Sequence, residues 1–100
     1  MKPDLHDGRL LLVESGGRSA RVLAESYAGE VFEIIFNGVD DVESAGEPAG
    51  MTLYAFAEME AETPSRRFVF VNWDEEEDER RLEIVARSFT ARRVASGDRD

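Results

Sequence analysis

The chain has 100 residues, 42% of them apolar, and its 22 acidic and 12 basic side chains give a net charge of −10. This length fits one domain and the apolar fraction suffices for a packed core, so wholesale disorder is not expected. The absence of cysteine excludes disulfides and thiolate chemistry. The longest strongly apolar run, Leu10 to Val13, is far shorter than the ~20 residues of a membrane span, and no signal peptide is recognisable. We therefore expect an acidic, cytoplasmic protein.

The first predicted element is a hairpin. Residues 9–14 form its first strand, and the glycine-containing segment 15–17 supplies the positive-φ residues of a tight turn. Residues 18–28 follow as the second strand, in a register that pairs Glu14 with Ser19. The same stretch also suits a short helix, with a serine at its N-cap and a glycine after its last turn. The alternation of its side chains favours the strand.

The middle of the chain is predicted to hold two more strands. Glu30–Phe36 is rich in β-branched and aromatic residues and is apolar on both faces, which predicts an interior strand. Val39–Val42 is a bend or a short edge segment, and Ser44–Gly50 is a loop. Met51–Glu60 is the next strand, with Leu53 and every second residue after it on one face.

A second hairpin is predicted near the end of the chain. Its strands are Arg66–Trp73 and Arg80–Phe89, and the register that pairs Val71 with Ile84 brings three apolar pairs onto one face. The alternation shifts after Ala86, which predicts a bulge or a bend there.

The strand signals recur about every ten residues, and no long amphipathic helix separates them. The sequence therefore predicts an all-β fold, an antiparallel meander of about six strands that forms a small sandwich or a partly open barrel. We expect one domain over residues 1–94 and a flexible tail over residues 95–100.

The only histidine of the chain lies in the segment Leu5-His6-Asp7-Gly8. Histidine beside a carboxylate can act as a base or a metal ligand, but the chain offers no cysteine nucleophile and no second histidine. We assign His6, Asp7 and Gly8 to a structural turn before the first strand. We predict no catalytic residue and no cofactor.

The charge distribution has two readings: acidity that keeps a small protein in solution, or a surface for a partner of opposite charge. Ten acids and no Lys or Arg fall between Val22 and Ser65, and six consecutive acids follow Trp73. Nucleic acid and anionic membranes are poor partners because binding them requires cations, whereas a basic protein surface is complementary. Tyr54 and Trp73 are hot-spot residue types at predicted strand ends. The predicted partner-binding residues are Tyr54, Trp73, Asp74, Glu75, Glu76, Glu77, Asp78 and Glu79.

Two other hypotheses remain open at this point. The run Asp74–Glu79 and the pair Asp40-Asp41 offer oxygen ligands for a divalent cation, which makes a cation-binding or small-ligand-binding β-barrel the alternative. The six-acid run lacks the spacing of an EF-hand loop, and we retain Asp40 and Asp41 only as candidate ligands. Self-association through an exposed strand edge, giving a homodimer, is the third hypothesis.

Three short motifs carry a family resemblance: Leu5-His6-Asp7-Gly8, Phe36-Asn37-Gly38-Val39 and Leu82-Glu83-Ile84-Val85-Ala86. They resemble uncharacterised families of small bacterial all-β proteins with a Leu-His-Asp-Gly start and a Phe-x-Gly-Val step. Some domains of this kind are described as immunity proteins against polymorphic toxins. The resemblance spans most of residues 4–90, implies a β fold without an enzyme motif, brings no catalytic residues and establishes no partner.

Overall fold

The computed structural model describes residues 3–61, 64–73 and 80–96, and eight β-strands account for most of them. In chain order the strands are β1 (Arg9–Gly16), β2 (Ser19–Glu25), β3 (Glu30–Asn37), β4 (Asp41–Ala45), β5 (Leu53–Glu60), β6 (Arg66–Asn72), β7 (Arg81–Ala86) and β8 (Ser88–Ser96). No helix that could cross a membrane occurs in this part of the chain.

The strands form two antiparallel sheets of four strands each, in the orders β1-β2-β3-β8 and β4-β7-β6-β5. The predicted all-β, antiparallel architecture is confirmed, with eight strands in place of six and two sheets that do not close into a barrel. The predicted bend or edge segment Val39–Val42 contains the start of the edge strand β4, which continues to Ala45, so the predicted loop Ser44–Gly50 is wrong at its first two residues. Strand β8 continues to Ser96, two residues into the predicted tail, and residues 97–100 lie outside the described residues.

One corner of the fold is a bent two-stranded ladder that passes from one sheet to the other. The Arg87 N–H donates to the Asn37 carbonyl at 3.0 Å, and the Asp40 N–H donates to the Val85 carbonyl at 2.8 Å. The β3–β8 pairing thereby continues into the β4–β7 pairing. Gly38 turns the chain with a φ of 65°, a conformation that favours glycine. The bend predicted after Ala86 is confirmed at Arg87.

The opposite corner joins β1 to the start of β5. The Asp7 N–H donates to the Leu53 carbonyl at 2.9 Å, and the Leu53 N–H donates to the Gly8 carbonyl at 2.8 Å. Further along, the Leu10 N–H donates to the Met51 carbonyl at 2.9 Å. These bonds fix the N-terminal segment along the edge of the second sheet.

The core lies between the two sheets and is built around phenylalanine. Phe36 is fully buried, and its ring lies 5.2 Å from that of Phe68 and 6.2 Å from those of Phe56 and Phe70. The Phe56 and Phe70 rings stack at 4.6 Å. Burial of these large apolar side chains, at about 25 cal/mol per Å², provides the main driving force for packing the sheets together.

The predicted register of the first hairpin is wrong by two residues. Gly16 pairs with Ser19 across a two-residue turn, so Glu14 lies opposite Arg21 instead of Ser19. Gly17 has a φ of 58° at the first position of this turn, as a type II′ hairpin requires. The second segment is a strand, and the helical alternative is therefore wrong.

The predicted register of the second hairpin is also wrong. Phe68 pairs with Ile84 and Phe70 pairs with Leu82, so Val71 does not face Ile84. The observed register buries the two phenylalanines, which remove more apolar surface from water than valines do. The valines of β6 lie on the outer face of the sheet and are only half-buried.

The outer face of the first sheet carries a network of ion pairs. The Arg21 guanidinium lies between two carboxylates, with Nε 2.6 Å from Oε2 of Glu33 and Nη1 3.0 Å from Oε1 of Glu14. Nη2 of Arg92 lies 2.9 Å from Oε1 of Glu33. Hydrogen bonds from Arg21, and then from Arg92, hold the pKa of Glu33 below its usual value. Arg9 pairs with Glu25 on the same face, and Arg93 pairs with Glu30 at the start of β3.

Stability should depend on pH through Glu33. Because its pKa is lowered in the folded protein, the carboxylate stabilises the fold above its unfolded pKa, and this stabilisation is lost as the pH falls through the folded value. We expect Glu33→Gln to lower Tm at neutral pH and to differ less from wild type at about pH 2. Thermal denaturation followed by circular dichroism measures this, with the exposed Glu47→Gln as control. Equal Tm values of Glu33→Gln and wild type at neutral pH would contradict the prediction.

Candidate functional site

The aromatic side chains divide by type between core and surface. Five of the six phenylalanines are buried, and the sixth, Phe89, packs against the core. In contrast, Tyr27, Tyr54 and Trp73 are 82%, 50% and 52% exposed. Tyr and Trp combine a large apolar ring with a polar group, which suits a surface that alternates between water and a partner. The exposed aromatics are therefore the first candidates for a binding site.

Three rings, those of His6, Tyr54 and Trp73, are in mutual contact and are called the aromatic cluster here. The Tyr54 and Trp73 centroids lie 5.4 Å apart with the ring planes tilted by 45°. The His6 ring lies edge-on to both, 5.2 Å from Tyr54 and 5.7 Å from Trp73. These separations are typical of favourable aromatic pairs, so the three side chains restrict one another's rotamers.

A β-bulge turns Tyr54 outward. The pairing of β5 with β6 shifts between Leu53 and Ala55, so Tyr54 is the extra residue. Leu53 and Phe56 then both face the core, and the predicted regular alternation from Leu53 is wrong beyond this point. Trp73 follows the last residue of β6, and its N–H donates to the Thr52 carbonyl at 2.9 Å. The bulge and this bond bring the two rings together.

A tight turn positions His6. The Gly8 N–H donates to the Leu5 carbonyl at 2.9 Å, and the Asp4 carboxylate accepts the His6 N–H at 3.2 Å. Asp7 has a φ of 63°, the only positive φ of a non-glycine residue in the described ranges. A positive φ at the third residue is the geometry of a type II turn. Residues 5–8 therefore form a tight turn before β1.

The turn also brings negative charge to the aromatic cluster. The Asp7 carboxylate lies 3.3 Å from Nδ1 of His6, and both side chains are about half exposed. A groove of about 320 Å³ opens beside the rings and is lined by His6 and Tyr54 with Pro3, Asp4, Leu5 and Phe56. The surface thus combines aromatic faces, an apolar floor and two carboxylates.

A second groove also adjoins the turn, through Asp7 and Gly8. It has a volume of about 270 Å³ and is lined by Asp7, Arg9, Glu25, Tyr27 and Thr52, among others. Tyr27 is not among the predicted partner-binding residues, and the prediction for His6 is a turn without aromatic neighbours. No local signal identifies either position, because the β2–β3 turn, the N-terminal turn and the start of β5 meet only in the folded protein.

The remaining predicted residues have separate positions. Asp74, Glu75, Glu76, Glu77, Asp78 and Glu79 lie outside the described residues. Asp40 accepts hydrogen bonds from Ser65 and from Arg18, and Asp41 is exposed on the edge strand β4. Among the residues that the structure describes, no three acidic or histidine side chains are grouped so that they could hold a metal ion. Asp40 therefore has structural partners, and Asp41 has no companion ligands there.

Comparison with known proteins adds no relative. No protein-family model, no curated protein and no solved structure matches this chain. The resemblance to small bacterial all-β families therefore stays a prediction.

The turn that carries His6 should depend on Gly8. A Cβ on Gly8 would collide with the Glu25 carbonyl oxygen and would lie 3.0 Å from the Leu5 carbonyl oxygen. We expect Gly8→Ala to destabilise the fold by about 1–3 kcal/mol, measured by urea unfolding. Gly16→Ala is the matched control, because nothing lies within 4 Å of a Cβ there. A Gly8→Ala variant as stable as Gly16→Ala would contradict the close approach.

Proposed function

We propose that this protein is a non-enzymatic protein-binding module, of the immunity-protein or regulatory-adaptor kind, that acts on a basic protein surface in the cytoplasm. Its contact surface would be the aromatic cluster together with the acidic run Asp74–Glu79. One observation carries the proposal: Tyr54 and Trp73 are half exposed and in ring contact at the point where six consecutive acids begin.

The aromatic cluster has the properties of a binding hot spot. Tyr and Trp are the residue types that most often dominate binding energy, and they do so from positions that a partner can desolvate. Because Tyr54 and Trp73 already contact each other and His6, little rotamer entropy remains to be lost on binding. The cluster is thus organised before a partner arrives.

The charge pattern favours a basic partner. The ion pairs of the first sheet balance its outer face, whereas the run Asp74–Glu79 contributes six of the ten net negative charges of the chain. On β4 and in the loop after it, Asp41, Glu43 and Glu47 have no ion pair within the described ranges. Such an excess attracts a cationic surface, and the attraction weakens as salt is added.

Affinity capture tests the proposal. The tagged protein is incubated with lysate of the source cell and washed at low and at high salt, and retained proteins are identified by mass spectrometry. We expect Trp73→Ala to weaken retention of the main partner by about thirty-fold, the effect of a hot-spot residue worth about 2 kcal/mol. Met59→Ala is the matched control, because Met59 has the same exposed fraction as Trp73 and lies on the same strand as Tyr54.

The acidic run is tested separately. Changing Glu75, Glu76 and Glu77 together to Lys should reduce retention at low salt and flatten its dependence on salt, since long-range attraction is lost. Retention that neither Trp73→Ala nor this charge reversal changes would contradict the proposed contact surface.

A further inference from the structure

We propose that the aromatic cluster binds an arginine side chain of the partner, with the guanidinium stacked on the Tyr54 and Trp73 rings and hydrogen-bonded to the carboxylates of Asp4 and Asp7. This inference rests on the proposed function and adds to it the side chain that the site selects.

The ring geometry suits a flat cation. The Tyr54 and Trp73 centroids lie 5.4 Å apart with the ring planes tilted by 45°, so one cation between their exposed faces can lie within about 6 Å of both ring centres. The guanidinium group is planar and stacks on aromatic faces, whereas an ammonium group is a compact, strongly hydrated charge. Trp73 supplies the ring type with the strongest cation–π attraction.

The neighbouring carboxylates provide the hydrogen-bond acceptors. Asp7 lies 3.3 Å from the His6 ring, its side chain is 44% exposed, and Asp4 lines the adjoining groove. Arg9 follows the turn in the chain but is paired with Glu25 at 2.9 Å. Within the described ranges neither aspartate has an arginine partner of its own. The guanidinium of a partner arginine would supply the positive charge and could donate two parallel N–H···O hydrogen bonds to a carboxylate.

An uncharged occupant fits the same surface less well. A proline or leucine side chain on the rings would take Asp4 and Asp7 out of water without giving them a hydrogen-bond donor. The combination of aromatic faces and half-exposed carboxylates therefore selects a cation, and ring stacking selects arginine over lysine.

Trp73 makes the test direct, because it is the only tryptophan of the chain and belongs to the proposed site. We titrate the full chain with short, end-capped glycine–serine peptides that carry one central arginine, lysine or citrulline, and follow tryptophan fluorescence. Citrulline keeps the planar shape and loses the charge. We expect saturable binding of the arginine peptide, with the lysine peptide weaker and the citrulline peptide weaker by about tenfold or more.

Two conservative variants measure the contribution of the Asp4 and Asp7 carboxylates to binding of the arginine peptide. Asp4→Asn keeps an oxygen that can accept the His6 N–H, and Asp7→Asn suits the positive φ at this position. We expect each to weaken the arginine peptide by about fivefold, whereas Asp41→Asn on β4 leaves it unchanged. Tyr54→Ala should also weaken binding while Trp73 continues to report it.

The outcomes separate this inference from the proposed function. Equal responses to the three peptides, or no response to the arginine peptide, would overturn the arginine site even if Trp73→Ala still abolishes partner capture. Conversely, arginine-selective binding with partner capture unchanged both in Trp73→Ala and in the charge-reversal variant would retain the arginine site and reject the proposed contact surface. Loss of peptide binding in Asp4→Asn and Asp7→Asn, but not in Asp41→Asn, supports the inference.

Discussion

The pairing between residues 7–10 and residues 50–53 is the interaction on which this structure depends most. Four backbone hydrogen bonds of 2.8–2.9 Å join the N-terminal segment to the start of β5. They connect the first sheet to the second at one corner, and they fix the Leu5–Gly8 turn against the bulged part of β5. The same turn also lies close to β2, because a Cβ on Gly8 would meet the Glu25 carbonyl oxygen. Without the pairing to residues 50–53, His6 would have no fixed position relative to Tyr54.

The aromatic cluster is therefore a product of chain topology. His6 comes from a turn, Tyr54 from a bulge and Trp73 from the end of a strand, and each belongs to a different part of the sequence. The core fixes the backbone at Tyr54, since Leu53 and Phe56 on either side of it are buried between the sheets. A binding surface placed on such ordered elements loses little entropy when a partner arrives.

Much of the fold is predictable from the sequence because strand signals are local. The alternation and the β-branched residues of β3 and the aromatic residues of β6 identify these strands directly. The strand registers are less predictable, since they depend on the length of each turn and on which face of β6 is buried between the sheets. Tyr54 and Trp73 could be selected by residue type and position at strand ends. The contact of His6 with them could not, because three distant segments supply it.

The β3–β8 pairing has a consequence for biosynthesis. Residues 30–37 pair with residues 88–96, so the fourth strand of the first sheet is the last to be translated. The hairpins that precede it are made of local contacts and form quickly, whereas this ladder requires closure of a long loop. Until β8 emerges from the ribosome, the backbone N–H and C=O groups along one edge of β3 have no strand partner. The side chains of β3 that are buried in the folded protein are exposed during this time. The nascent chain is thus open to intermolecular strand pairing until residues 88–96 have been translated.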